Sequence, residues 1–322
     1  FLVSFLSPTH LRQFGLVIMI GSLALMIVVL FTGLEVNGSK RWIRLFGLSL
    51  QPSEFAKPSF IVLSAWAFSQ WIARKDMPGL PIAIAILLVY TLLLLQQPDI
   101  GQSILFAAVW TGLFFLSGTS LLWIAIIVLI GLIGFGIAVV RFPHVADRIG
   151  LFWNSGSGDR FQLDRALQSF VDGGWFGRGL GEGQLKQNFP DAHTDFIFAV
   201  IAEEYGIVAC LVILGLVTAI VIRGILTAAR HPDHFVRLAA LGMTFLFGLQ
   251  AAINMLVNVG LLPAKGMTLP FVSYGGSSLL AMSLTIGILL GLSRHRAPKQ
   301  NIGPTISMST LNRDRHRGGM RI

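Results

Sequence analysis

Solid apolar blocks separated by short polar connections dominate this chain, and their lengths set the first expectation. Positions 121–140 hold only apolar or small residues, the ~20 needed for a helix to cross a ~30 Å hydrocarbon core. Similar blocks recur, and the pattern predicts eight complete spans at 14–33, 56–72, 80–95, 100–116, 121–140, 196–222, 238–262 and 278–292. A transmembrane barrel would need alternating segments of about ten residues. The expected fold class is therefore an all-α integral membrane protein, a polytopic helical bundle. The opening Phe1-Leu2-Val3-Ser4-Phe5-Leu6 has neither an initiator Met nor a basic n-region, and reads as the stump of an earlier helix with sequence upstream of it.

Positive charge orients the bundle. Arg12, Arg74, Lys75, Arg223, Arg230, Arg237 and the basic tail at 293–322 fall on one side, which should be cytoplasmic. The tail is expected to be disordered, and 1–322 to form one membrane domain. The other side receives 34–55, the turn at Gln97-Pro98-Asp99, the connection 141–195 and the segment 263–277. The 141–195 connection exceeds the ~12–15 residues of ordinary loops. Its Trp153, Phe161, Phe170, Trp175, Phe176 and Phe189 are too many aromatics for a solvated linker. A long extracytoplasmic loop folded back on the membrane face is expected, with a short amphipathic helix at Leu163–Phe170 and a glycine-rich, conformationally permissive stretch after it.

Composition narrows the classes. The chain is 54% hydrophobic and 12% charged, against ~25% charged in soluble domains. Its single cysteine, Cys210, provides neither a disulfide framework nor a thiolate metal site. Most of the net charge of +9 comes from the tail, a topology signal, and no aromatic-basic interleaving accompanies it, so no nucleic-acid partner is expected. Walker A, GxGxxG, HExxH and GxSxG patterns are missing from the sequence, which removes support for NTP-driven transport and for the commoner membrane metalloproteases.

Polar residues at the ends of spans are the candidates for chemistry. In Phe189-Pro190-Asp191-Ala192-His193-Thr194-Asp195-Phe196, a carboxylate would meet both water and a lipid-borne substrate. The structural alternative has Thr194 capping the helix and Asp195 answering its dipole, each worth about 0.5–1 kcal/mol. Glu203 and Glu204 lie about 12–13.5 Å deeper; intramembrane carboxylates default to function, with pairing to a basic residue as the alternative. In Gln51-Pro52-Ser53-Glu54-Phe55-Ala56-Lys57, Lys57 could hold a phosphate as a point charge, or form an i,i+3 pair with Glu54 behind a Ser53 cap. Arg41 and Trp42 could be interface anchors, and turn chemistry alone explains Asp99 after Pro98. The segment from Leu262 to Ser278 mixes Lys265, hydroxyls and glycines, and irregular backbone at membrane depth survives only beside protein or a hydrated cavity. Carboxylates and cations on one face suit a lipid-linked phosphate substrate, and equally a proton-coupled transporter.

The stretches Val36-Asn37-Gly38-Ser39-Lys40-Arg41-Trp42-Ile43, Gln51 to Lys57, Gln97-Pro98-Asp99-Ile100-Gly101, Pro190 to Phe198 and Pro270-Phe271-Val272-Ser273-Tyr274-Gly275-Gly276-Ser277-Ser278 resemble, in order and over nearly the whole chain, the SEDS (shape, elongation, division and sporulation) family. Lys265 to Pro270 and Asp191 to Asp195 resemble its FtsW-like division branch more than the RodA-like elongation branch. The resemblance implies ten spans and a peptidoglycan glycosyltransferase that polymerises lipid II at the outer face of the bacterial cytoplasmic membrane, at the septum. It also implies a class B penicillin-binding protein and other divisome membrane proteins as partners.

Asp195 matches the family's essential aspartate after His193-Thr194 and would be the general base. Arg41, Lys57 and Lys265 would bind the pyrophosphate, with Trp42, Glu54, Asp99, His193, Thr194, Ser273 and Tyr274 supporting the cavity. A divalent cation, Mg or Mn, could share that work through Asp99 or Glu54, though no ligand spacing demonstrates one. Pro58 departs from the family pattern and would kink the helix beneath Lys57. The competing readings are a lipid II flippase using Glu203, Glu204 and 263–277, and a non-catalytic scaffold.

Overall fold

The computed structural model describes residues 2–36, 39–45, 47–74, 76–141, 158–184, 192–263 and 266–294. After a 3-10 turn at Leu2–Phe5 come α1 (Pro8–Thr32), three short strands β1 (Leu34–Val36), β2 (Ser39–Leu45) and β3 (Leu48–Leu50), then α2 (Pro52–Ala73), α3 (Gly79–Gln96), α4 (Ile100–Leu116) and α5 (Leu121–Arg141). α6 (Gly158–Gly173), α7 (Ile197–Ala229), α8 (His234–Asn258) and α9 (Gly276–Ser293) complete the described order.

A helix stands at each of the eight predicted spans, and six are long and apolar enough to cross a membrane. The other two depart for different reasons. α2 carries Glu54, Lys57 and several serines along its length, and α4 has 17 residues. α1 starts six residues before its predicted boundary because Ser7 caps it, accepting the His10 N–H, and Pro8 occupies the first turn, where its missing N–H costs nothing.

Polar α2 lies at the centre. It packs against α1, α3, α4, α8 and α9, and Phe60, Phe68, Tyr90, Phe106, Trp110 and Phe114 fill the space among α2, α3 and α4 with ring centroids 4.8–5.8 Å apart. Close approach of α8 depends on Gly242, where a Cβ would stand 2.6 Å from Ile61 Cγ2. Small residues at helix contacts are how bundles pack in lipid. Pro58 sits inside an α2 that runs unbroken from Pro52 to Ala73.

The break falls instead in α7, at Gly206 (φ 81°, ψ 178°). Residues 174–179 enter that break and satisfy it. Ile207 and Val208 N–H donate to the Gly174 and Trp175 carbonyls, while Arg178 and Gly179 N–H donate to those of Glu203 and Glu204. A Cβ at Gly177 would lie 2.2 Å from Glu204 O, and one at Gly206 2.3 Å from Trp175 O. The glycine-rich stretch, expected to be merely permissive, is a docked strap whose glycines allow backbone to touch backbone. The predicted helix at Leu163–Phe170 lies within the longer α6, which packs on α7 and α8.

The helical-bundle expectation holds, and one small element is added to it. β1, β2 and β3 form a three-stranded antiparallel sheet, order β1-β2-β3, with Leu34 opposite Trp42 and Arg44 opposite Ser49. Its alternation spans only seven residues of a polar connection, too short to register as a strand among membrane helices.

Candidate active site at one end of the bundle

Chain direction brings the sheet, the α3–α4 turn, residues 192–196 and residues 266–275 to the same end. The period of two in β2 puts Arg41 on the face opposite Lys40 and Arg44. Lys40 and Arg44 are exposed, whereas Arg41 and Trp42 are half-buried. Arg41 reaches the α3–α4 turn: Nε donates to Gln97 O at 3.1 Å, Nη2 donates to Pro98 O, and Nη1 lies 3.5 Å from Asp99 Oδ2. Asp99 also caps α4, accepting the Gln102 N–H through Oδ1 at 3.3 Å. Burial pushes the Asp99 carboxyl above the usual carboxylate range, against the opposing pull of Arg41.

Behind this pair runs a buried polar path. Because α2 starts at Pro52, four residues before its predicted boundary, Glu54 and Lys57 lie inside the bundle at 4% and 1% exposure. Lys57 Nζ donates to Glu54 Oε1 at 2.7 Å and to Gln250 Oε1 at 2.9 Å, and Gln102 Nε2 donates to the same Glu54 oxygen at 3.2 Å. Gln250 continues to Thr268 O at 3.1 Å, and Thr268 Oγ1 meets Ser278 Oγ. α2, α4, α8 and the 266–278 segment are thus tied by one network, the arrangement in which partly satisfied groups are costly and fully satisfied ones rigidify. Ser53 does not cap α2: Gln51 occupies that position without a side-chain bond to the helix backbone, and donates its Nε2 to Ser53 Oγ. Glu54 Oε2, Asp99 Oδ2 and Gln102 Oε1 remain buried without a hydrogen-bond donor.

Asp195 approaches the same space from the other side. The expected Thr194 cap is corrected here: α7 begins at Ile197 with Phe196 as its cap, so Thr194 and Asp195 precede the helix in a turn that bonds elsewhere. The Asp195 carbonyl accepts from Asn254 Nδ2 and Asn258 Nδ2, both at 2.9 Å. Asn258 Oδ1 accepts the Ala199 N–H at 2.9 Å, and Asn254 Nδ2 also donates to Met267 O at 2.7 Å. Ser273 Oγ donates to Thr194 O at 2.6 Å and accepts the Leu269 N–H at 2.7 Å, and the Tyr274 N–H donates to His193 O. The turn carrying Asp195 is therefore fastened to α8 and to the 266–274 segment.

The Asp195 side chain is half-buried. A Cβ at Gly266 (φ 65°) would lie 3.9 Å from Asp195 Oδ2 and 4.0 Å from Arg41 Nη1, so a carboxylate and a guanidinium face one glycine from two separate elements. Beside them an open cavity of about 560 Å³ is lined by His193, Ile197, Phe271, Ser273, Tyr274 and Leu279. His193 and Tyr274 are exposed. Lys265 lies outside the described residues.

The sequence reading passed over the amides Gln250, Asn254 and Asn258. Their signal was available: polar residues every four positions on an otherwise apolar span share one helix face. Glu203 takes the pairing alternative, its Oε1 accepting the Gln184 N–H at 2.9 Å and standing 3.8 Å from Arg178 Nη1. Among the described residues no group of three or more His, Cys, Asp or Glu is placed to hold a metal ion.

Residues 1–298 match the FTSW_RODA_SPOVE model, described as cell cycle protein. A relative from Caulobacter vibrioides named "Probable peptidoglycan glycosyltransferase FtsW" is 42% identical over 295 residues, covering 92% of this chain and 76% of its own. Solved structures are similar as well, two of them over most of this chain. One is a chain from a peptidoglycan synthase complex coordinating polymerization and crosslinking (TM-score 0.75, 27% identity, 91% of this chain and 84% of that one). The other is the rod shape determining protein RodA of Thermus thermophilus (TM-score 0.65, 28% identity, 92% and 83%).

Proposed function

We propose, for a chain that belongs to the FtsW/RodA/SpoVE family of cell cycle proteins, the activity of a peptidoglycan glycosyltransferase that polymerises lipid II. The protein is a multi-pass membrane protein. Its site faces the outside of the cytoplasmic membrane at the septum, and a class B penicillin-binding protein crosslinks its product. The single observation that carries the mechanism is the convergence of Asp195 Oδ2 and Arg41 Nη1 on Gly266.

Asp195 takes the proton of the acceptor sugar's 4-hydroxyl as that oxygen attacks the donor's anomeric carbon. The bond from that carbon to the pyrophosphate oxygen breaks, the configuration inverts, and undecaprenyl pyrophosphate leaves with the bonding electrons. Arg41 answers the charge growing on the leaving group, the positioned electrostatics that usually supplies the largest catalytic term. Lys265, next in sequence to Gly266, is the second cation assigned to the pyrophosphate. Lys57 is paired and buried, so its part is to neutralise Glu54 and hold Gln250 rather than to reach the phosphate. The apolar side of the open cavity, Ile197, Phe271 and Leu279, suits the polyprenyl chain. No step is assigned to a metal ion.

The test is lipid II polymerisation by the purified protein with its penicillin-binding partner, in moenomycin to silence other transglycosylases. Asp195→Asn, at unchanged folding and partner binding, should abolish glycan strands. Equal product from both would remove Asp195 as base, and no product from the unmodified protein would turn attention to lipid II transport, assayed in liposomes. Glu203, which a transport path would need, is engaged by Arg178 and Gln184.

A further inference from the structure

At the end of the bundle opposite Asp195 a larger cavity, about 980 Å³, opens between α7, α8 and α9. Its wall is apolar, with Ile222 and Leu226 from α7, Ala240 from α8 and Leu292 from α9, while Arg223, Arg230 and His231 line it as well. The α7 side runs from Ala219 to Arg230, about 16 Å along the axis at 1.5 Å per residue. The cavity therefore reaches from the α7–α8 connection to the end of the apolar span.

Arg223 and Arg230 are one heptad apart and share a helix face, both on this cavity. Arg223 lies about 10 Å further along α7 from the connection, at the end of the predicted span, where a long basic side chain reaches headgroup level. Among the described residues neither arginine is ion-paired with a carboxylate. The neighbouring acid, Asp233, is engaged: Oδ1 accepts the Val236 N–H at 3.0 Å, and its own N–H donates to His231 Nδ1 at 3.2 Å. α7 also ends here with its carbonyls, so the negative pole of the helix gives an anion no help and the arginines must hold it.

We propose that this cavity binds an anionic glycerophospholipid, phosphatidylglycerol or cardiolipin, with the Arg223 and Arg230 guanidinium groups on the headgroup phosphate and one acyl chain along Ile222, Leu226 and Leu292. Charge complementarity selects the headgroup, and the depth of the apolar wall selects a lipid over a free phosphate. Basic pockets between helices at this level are where such headgroups bind. The site is separate from the glycosyltransferase reading and stands or falls without it.

The experiment is native mass spectrometry of the full chain, reconstituted with equimolar phosphatidylglycerol and phosphatidylethanolamine and then released from the membrane. The unmodified protein should retain phosphatidylglycerol selectively. Arg223→Ala/Arg230→Ala should bind it about thirtyfold more weakly, and the single Gln variants about fivefold each. The single variants carry the test if the double variant does not fold. Arg74→Ala removes an exposed cation at the same end and should leave retention unchanged. Equal retention of both lipids, undiminished retention in the arginine variants, or an equal loss in Arg74→Ala would overturn the proposal. Displacement of the lipid by millimolar inorganic phosphate would assign the arginines to a free anion and overturn it as well.

Discussion

Replacing Lys57 by Met keeps the volume of a fully buried side chain and removes its charge. The Glu54 carboxylate, 4% exposed, would then retain only the Gln102 amide, 3.2 Å away, and Gln250 Oε1 would lose its donor at 2.9 Å. Removing one partner of a buried pair costs about 3–5 kcal/mol, because the other charge is left uncompensated. That is a large share of the ~5–15 kcal/mol that holds an ordinary domain together. Replacing both partners, Glu54→Gln with Lys57→Met, deletes the charge and its need together and should recover most of that loss. The assay is thermal unfolding of the detergent-solubilised protein followed by the monodisperse fraction, run as a double-mutant cycle. A coupling of about 2 kcal/mol or more is expected, near the top of the range for contacting residues. Additivity within ~0.5 kcal/mol would refute the network as described. If the double variant folds, its polymerisation rate also separates support from contact: retained activity fits Lys57 as a structural counter-charge, and selective loss of lipid II binding would put it on the pyrophosphate.

Three other outcomes follow from the geometry. Asn258→Leu, which removes the bonds to Asp195 O and Ala199 N, should lower the polymerisation rate at least tenfold with lipid II binding little changed, since small misplacements of a catalytic group are that expensive; unchanged turnover would refute its positioning role. Gly206→Ala places a Cβ 2.3 Å from Trp175 O at φ 81°, so the strap at 174–179 should detach and limited proteolysis there should accelerate; undiminished protection would show that α7 does not need the glycine. Asp99 carries a pKa raised by burial, so its folded form holds the proton more tightly than the unfolded chain does. Its stability contribution is complete below the ordinary carboxylate pKa and is lost as pH rises through the raised value. Thermal midpoints measured from acid towards neutral pH should therefore fall less steeply in Asp99→Asn, and parallel slopes would contradict the sign.

Much of the architecture was legible before any coordinates, because crossing a bilayer leaves its own signature. A span must be about 20 apolar residues whatever it packs against, so solid blocks such as Leu121 to Val140 announce helices, and Lys and Arg in the short connections orient them. The polar residues beside those blocks were equally visible: Arg41, Glu54, Lys57, Asp99 and Asp195 stand out in a chain that is 54% hydrophobic and only 12% charged. Partnership was another matter. An i,i+3 spacing could pair Glu54 with Lys57, but only packing of α2 against α4 and α8 adds Gln102 and Gln250 to that pair. Ser53 and Thr194 looked like caps by residue type, and lost that role because the bonds their neighbours make move the helix starts. The glycines at 174–179 and Gly206 read alone as flexibility; their reason is an approach of two backbones distant in sequence. Local composition determined which segments are helices in lipid and which residues carry charge. Tertiary structure decided what each charge faces, because a hydrogen bond needs its partner within about 3 Å and Lys57 finds Gln250 193 residues away along the chain.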